Sequence, residues 1–516
     1  MAQALDLIIK GNIITVVNQK PRAEAIGIKG EKIVAVGSTQ EIESGAGKAT
    51  RVLDLRGKTV LPDFMDSHAH PMGTGRNRMG VDVTYVTSVA ETLDLIRQRV
   101  KITPEGRWVF CPGYNRLHVA EKRFPTLKEL DDISKKHPIS IQHYDGHFSM
   151  LNTASFKQLD LKAGMPGIIL DADGKPTGVI EDPASGKTLE LIGALTSDVE
   201  RLEALLLVTR EAASVGITTL FAKEPLDSVD FILKNSKRIP VRIRPMVMGA
   251  TKGLLEFERV RQADFLGDRV CVATAADGSI DAHTGALFEP YSNDPASLGM
   301  LIFSDEELYS FVEKAHHAGM QVSIHAESDR CIDQVLWAYE KVLEKYPRKD
   351  HRHRIEHFEL ATLKQIKRAA RLGVALAMQP MFMETCENLS DYFELFGKER
   401  IKRFHPYRSI LDEGVLVSGG SDTPVTKPNP LGGIHALVNH YFKEQRVDVY
   451  EAIEIFTINS ARIGFEEDRK GSIEPGKLAD FVVLSQDPYR GPRQKLKDIA
   501  VEMTIVGGRV VYEKRA

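Results

Sequence analysis

The chain has 516 residues, 42% of them hydrophobic, which is too much for one ordinary domain and enough for a large barrel with additions. Its 68 basic and 71 acidic residues leave a formal charge of -3, so composition gives no electrostatic case for nucleic acid or an anionic membrane and favours a small neutral or modestly charged substrate. Cys111, Cys271, Cys331 and Cys386 lie far apart with no Cys-x-x-Cys, which argues against a zinc ribbon or disulfide framework and for a reducing cytoplasm.

Met1-Ala2-Gln3-Ala4-Leu5-Asp6 has no basic region before a long apolar core, and no apolar run is long enough to span a bilayer. The chain therefore reads as soluble. From Leu7 to Val36 short β-prone runs alternate with Gly-centred turns, and 479–484 and 503–512 repeat that style near the C-terminus. Neither end has strands enough to bury a face alone. The two are expected to pair into one small β-sandwich, residues 1–59 with 466–516, leaving the centre as one insertion.

That centre opens with an apolar run, Val60-Leu61-Pro62-Asp63-Phe64-Met65-Asp66-Ser67, ending in His68-Ala69-His70. On a strand, residues two apart point the same way about 6–7 Å apart, so the two imidazoles can converge on one metal ion. From 72 to about 205 the pattern breaks, with an amphipathic stretch over 88–100, a strand-like 108–111 and His143-Tyr144-Asp145-Gly146-His147-Phe148. An insertion this long at a barrel mouth is expected to serve as a lid or substrate-binding element.

Beyond it, short apolar runs at 216–221, 241–247, 270–274, 321–325, 353–357, 374–379 and 416–420 alternate with stretches such as 305–318, 332–346 and 363–372. With the strand before His68 this gives eight βα-like units, the count for a TIM-like (β/α)8 barrel over 60–465. Lys223, His325, His357 and Asp422 all fall at the ends of these runs, where such barrels keep their chemistry. Singly, each has a structural explanation as a carbonyl partner or helix cap. Four imidazoles and a carboxylate on one rim instead indicate a divalent metal site, best suited to zinc, with manganese, iron and nickel open.

The ordered set of His-x-His, a later His, another His and a final Asp resembles the amidohydrolase superfamily of metal-dependent hydrolases. It is most similar to the amidohydrolase family 3 branch, which includes N-substituted formamide deformylases. The matching segments are 61–70, Tyr144-Asp145-Gly146-His147, Ala276-Asp277-Gly278-Ser279, 291–295, Ile324-His325-Ala326, Arg354-Ile355-Glu356-His357, 420–425 and 471–484. The resemblance implies metal ligation by His68 and His70 from the first strand, His325 and His357 from the fifth and sixth, and Asp422 from the eighth. Asp422 is then general base and afterwards acid, and His357 or His147 donates to the developing oxyanion. Asp145 and His147 are expected to face substrate, and Asp277 either contacts it or caps the loop after the fourth strand.

The implied reaction is hydrolysis of a non-peptide C–N bond in an amide, N-formyl, carbamate or similar group. Deamination of a cyclic amidine and a non-catalytic, metal-binding regulatory role are the alternatives. A homo-oligomer, with a dimer favoured, is the expected assembly. One departure bears on metal count: where the family commonly has a lysine on the fourth strand that bridges two ions as a carbamate, this chain has Ala273. Either one ion is held by His68, His70, His325 and Asp422, with His357 orienting substrate or water, or another residue supplies the bridge. Lys223 is the candidate substitute, against the competing reading that it pairs with Glu224 or another carboxylate.

Overall fold

The computed structural model describes residues 4–116, 118–144, 148–181, 184–185, 188, 192, 197–249, 259–260, 270–385 and 389–515. Eight parallel strands make the barrel in sequence order: Phe64–Ala69, Ile217–Glu224, Arg242–Met248, Cys271–Ala275, Gln321–Ala326, Arg354–His357, Ala375–Met378 and Val417–Gly419. Each overlaps the apolar run that predicted it. The ring closes between the eighth strand and the first, where Ser67 Oγ donates to Gly419 O at 2.9 Å and Asp422 N donates to His68 O at 2.8 Å. Met65, Phe221, Met246, Cys271, Ala273, Ala375 and Ala377 fill the interior as one apolar cluster.

Helices follow several strands, and their starts are written in the sequence. Ser304 and Glu307 form a capping box ahead of Asp305–His317, and Thr362 with Gln365 does the same for Leu363–Leu372. These side chains occupy backbone groups that the first turn leaves unpaired. Gly373, at φ 69°, ends the second helix in the left-handed conformation that glycine adopts without strain.

Both chain ends build a single seven-stranded sheet, ordered Arg509–Glu513, Val501–Val506, Phe481–Leu484, Arg51–Pro62, Leu7–Ile14, Arg22–Lys29, Lys32–Gly37. Ile9, Ile13, Ile26 and Ile28 from one end share a core with Phe481, Val483 and Ile505 from the other. The sheet runs on to Pro62 instead of stopping at residue 59, because Val60 and Leu61 pair with Val483 and Val482. The single apolar run seen in sequence thus divides at Asp63 into two strands. Buried Asp63 holds that corner by accepting from Gly471 N and Thr218 Oγ1, both at 3.1 Å.

Residues 1–71 and 209–516 form one compact unit, and 72–208 form a second. The second has its own five-stranded sheet, ordered Val109–Tyr114, Ile139–His143, Phe148–Leu151, Pro176–Glu181, Ile168–Leu170. Ile96 of the helix Val89–Ile102 packs in its core with Val109, Cys111, Ile139 and Ile141. Among the described residues, no helix is long and apolar enough to cross a membrane.

Candidate metal centre

Strand alternation does at the end of the first strand what the sequence predicts. His68 Nε2 and His70 Nε2 each lie 3.2 Å from the same Asp422 Oδ1. The other ring nitrogens are committed: His68 Nδ1 contacts Glu356 Oε2 at 2.7 Å and His70 Nδ1 contacts the Lys223 carbonyl at 2.9 Å. Since a carbonyl and a carboxylate only accept, each imidazole carries a proton on Nδ1, and each Nε2 faces the Asp422 carboxylate.

Asp422 reaches this point through a tight turn after the eighth strand. Asp66 ties that turn to the first strand, its Oδ1 accepting from Ser421 N at 2.9 Å and its Oδ2 from Ser421 Oγ at 2.6 Å. A Cβ on Gly420 would sit 2.7 Å from the His68 nitrogen, so only glycine allows the eighth strand to approach so closely. Asp422 itself has φ 53°, and His357 and Phe358 have φ 72° and 54°. Non-glycine residues held at such angles cost of order 1–3 kcal/mol each and persist where surrounding structure fixes them.

A second group lies alongside. One ligand atom each from His325, Glu327 and His357 falls within 4.8 Å of the others. The His357 ring centroid is 4.4 Å from that of His325 and 5.1 Å from that of His68, so the two groups adjoin. Lys223, at 4% exposure, belongs to the same neighbourhood. Burial pulls its ammonium below the usual lysine range against the opposing charges of Glu356 and Asp422. Burial and then the Lys223 charge take His325 down to about 4. Burial alone would raise the Asp422 carboxyl, but the neighbouring His68, His70 and His357 hold it well below the carboxylate range.

The structure thus brings His68, His70, His325, His357, Asp422 and Lys223 to one rim. Asp277 is buried beside them with its oxygens engaged: Oδ2 accepts from Ala286 N at 3.1 Å, and Oδ1 accepts from Glu327 N at 3.2 Å and lies 3.5 Å from His325 Nε2. Asp145 and His147 lie outside the described residues. Sequence reasoning passed over three residues. Glu327 was legible, since His325-Ala326-Glu327 has the same i, i+2 spacing as the histidine pair, and so was Asp66, two before His68. Glu356 was not, because alternation sends it away from its neighbour His357.

The family model described as "Amidohydrolase family" (Amidohydro_3) matches residues 51–512. The chain belongs to the amidohydrolase family. The protein YtcJ of Bacillus subtilis (strain 168) is 28% identical to this amidohydrolase, with 98% of each chain covered. N-substituted formamide deformylase of Arthrobacter pascens is 27% identical, covering 100% of this chain and 99% of its own. An uncharacterized metal-dependent hydrolase from Pyrococcus horikoshii OT3 superposes with a TM-score of 0.80 at 25% identity, over 94% of this chain and 99% of its own.

The amidohydrolase's own residues fit a divalent ion. Two imidazoles and a carboxylate converge in each group, a mixed nitrogen and oxygen set of the kind zinc takes. His357 Nδ1 is buried and has no hydrogen-bond partner among the described residues, a state that costs free energy unless a further ligand is present. Ala273 is packed in the barrel's apolar interior, so the fourth strand offers this site no bridging group.

Proposed function

We propose that this amidohydrolase cleaves a non-peptide C–N bond in an amide, N-formyl, carbamate or related group. The observation that carries the reading is the convergence of His68 Nε2 and His70 Nε2 on one oxygen of Asp422. In this reading zinc is held by His68, His70 and Asp422, and a second ion by His325, His357 and Glu327. Lys223, were its ammonium to lose two protons as Nζ bonds the carbon of carbon dioxide, would offer as a carbamate the anionic ligand that Ala273 cannot. A bound divalent ion contributes an acidified water and a polarised substrate carbonyl.

The chain's own groups then do the proton work. Asp422 takes the proton of the attacking water and returns it to the departing nitrogen, so the amine leaves neutral and the carbonyl carbon leaves as an acid. With His357 counted among the second ion's ligands, donation to the oxygen of the scissile carbonyl is assigned to His147. Asp145 and His147 are the proposed substrate contacts, and Asp277, whose oxygens accept from Ala286 N and Glu327 N, is read as the cap of the loop after the fourth strand. The likeness to a deformylase over the whole chain supports N-formyl compounds as the first class to try.

The experiment is a panel of N-formyl amines, N-acyl amines, carbamates and cyclic amidines, run with metal-stripped and zinc-reconstituted protein. Zinc-dependent release of amine with formate or another acid is expected. Ammonia release from the amidines alone would replace this reading with deamination, and no zinc-dependent turnover on any class would remove it.

A further inference from the structure

Glu356 is buried completely and receives four donors: Arg354 through Nε and Nη2, Ser323 Oγ at 2.7 Å, and His68 Nδ1 at 2.7 Å. Arg354 Nη2 also donates to the Ser67 carbonyl at 2.7 Å, so the arginine fastens the sixth strand to the first, one residue before His68. Consecutive residues of a strand face opposite ways, yet Glu356 bonds His68 while the His357 ring sits 5.1 Å from it. The backbone permits this because it leaves the extended conformation at His357, with φ 72°. A counterion for Arg354 alone needs no such contact with an imidazole.

We infer that Glu356 is a positioning residue: held by Arg354 and Ser323, it fixes the ring and tautomer of His68 so that Nε2 is presented to the metal. The inference rests on the reading of His68 as a ligand. Carboxylates that accept from the far nitrogen of a metal-bound histidine orient the ring and raise its basicity, and losing one typically costs 10–100-fold in metal affinity. Here the partner is itself locked by a buried arginine, and among the described residues the other polar group beside His68 Nδ1 is the neutral Gln379 amide at 3.5 Å.

The test measures zinc affinity of the full-length protein by chelator competition, with anomalous scattering to assign occupancy to each group. Glu356→Gln is expected to weaken zinc at His68, His70 and Asp422 by about 10–100-fold while the ion at His325, Glu327 and His357 keeps its occupancy. Arg354→Met combined with Glu356→Leu removes the ion pair without stranding a charge, and the same selective loss is expected. Equal affinity in either folded variant, or equal loss from both groups, overturns the inference. If neither variant folds, histidine-selective nitrogen-15 spectra of the zinc-loaded wild-type protein decide, since a proton on His68 Nε2 there contradicts the assignment and one on Nδ1 alone supports it. Wild-type protein that binds no zinc overturns the metal reading itself, an outcome distinct from all of these.

Discussion

At the scale of single residues, the site asks two things of Asp422 that one substitution can separate. Asp422→Asn keeps an oxygen near His68 Nε2 and His70 Nε2 but removes the proton acceptor. Turnover is expected to fall by about 10²–10⁴ while zinc content, measured by elemental analysis, stays near the wild-type value. Undiminished turnover in Asp422→Asn would return the base to some other group. Lys223→Ala addresses the bridge: zinc per chain is expected to drop from about two to about one, because the second ion loses its shared anion. A wild-type value of one, unchanged in the variant, leaves a mononuclear site. The reading from sequence was strongest at this scale, since His68, His70, His325, His357 and Asp422 lie at or just beyond strand ends, where they fall into two adjoining groups and not the single set of His68, His70, His325 and Asp422. Glu356 escaped because its role depends on a left-handed backbone at His357, and nothing in the residue types announces that φ.

At the scale of elements, the strands were readable because fully buried parallel strands are short, apolar and punctuated by glycine and polar turns. The run from Val60 to Ser67 was not divisible that way, since both sides of Asp63 are apolar and equally buried. The connections carry a different property, a set of buried neutral histidines. His440, after the helix Pro430–Val438, donates from Nε2 to the His405 carbonyl at 3.1 Å and accepts at Nδ1 from Phe442 N at 3.0 Å. Protonation would set an N–H against an N–H. Burial, with His405 close by, accordingly takes its pKa down to about 3. The unfolded side chain titrates near 6.5, so the stability tied to this residue is complete above that pH. As pH falls from there toward about 3 the unfolded state alone gains the proton, and unfolding free energy drops by about 1.4 kcal/mol per pH unit. A glutamine side chain in its place can make both hydrogen bonds without titrating. His440→Gln is therefore expected to match the wild type at pH 7.5 and to show a shallower loss of stability between pH 6 and 4 in denaturant titrations. Parallel profiles for the two proteins would rule this residue out as a source of acid sensitivity.

At the scale of the whole molecule, pairing of the two chain ends followed from the poverty of each alone, but the way the terminal sheet is joined to the barrel did not. The join is polar and buried. Lys470 is 2% exposed and donates to Thr219 Oγ1 of the second barrel strand at 3.0 Å, while pairing with Glu466 Oε2 at 3.0 Å. Its charge opposes burial and Asp480, which together raise Asp63 at the sheet-to-barrel corner to about 7. Lysine is among the residues least often found inside, and sequence gives no sign that this one, next to Gly471, is an exception. Lys470→Met has similar length and packs as an apolar chain, so any loss reports the charge. It takes from Glu466 its nearer partner, leaving Arg469 at 3.9 Å, and takes from Asp63 the lysine charge that offsets its burial, while Asp480 keeps Arg242. Removing one partner of a fully buried pair costs about 3–5 kcal/mol, and Glu466, at 14% side-chain exposure, puts this pair at or below the lower end. Denaturant unfolding is expected to show a loss of that order, while zinc content and turnover at 25 °C persist because no ligand touches Lys470. Combining it with Glu466→Gln is expected to recover part of the loss, and a double variant no more stable than the single one would show that Lys470 acts by shape instead.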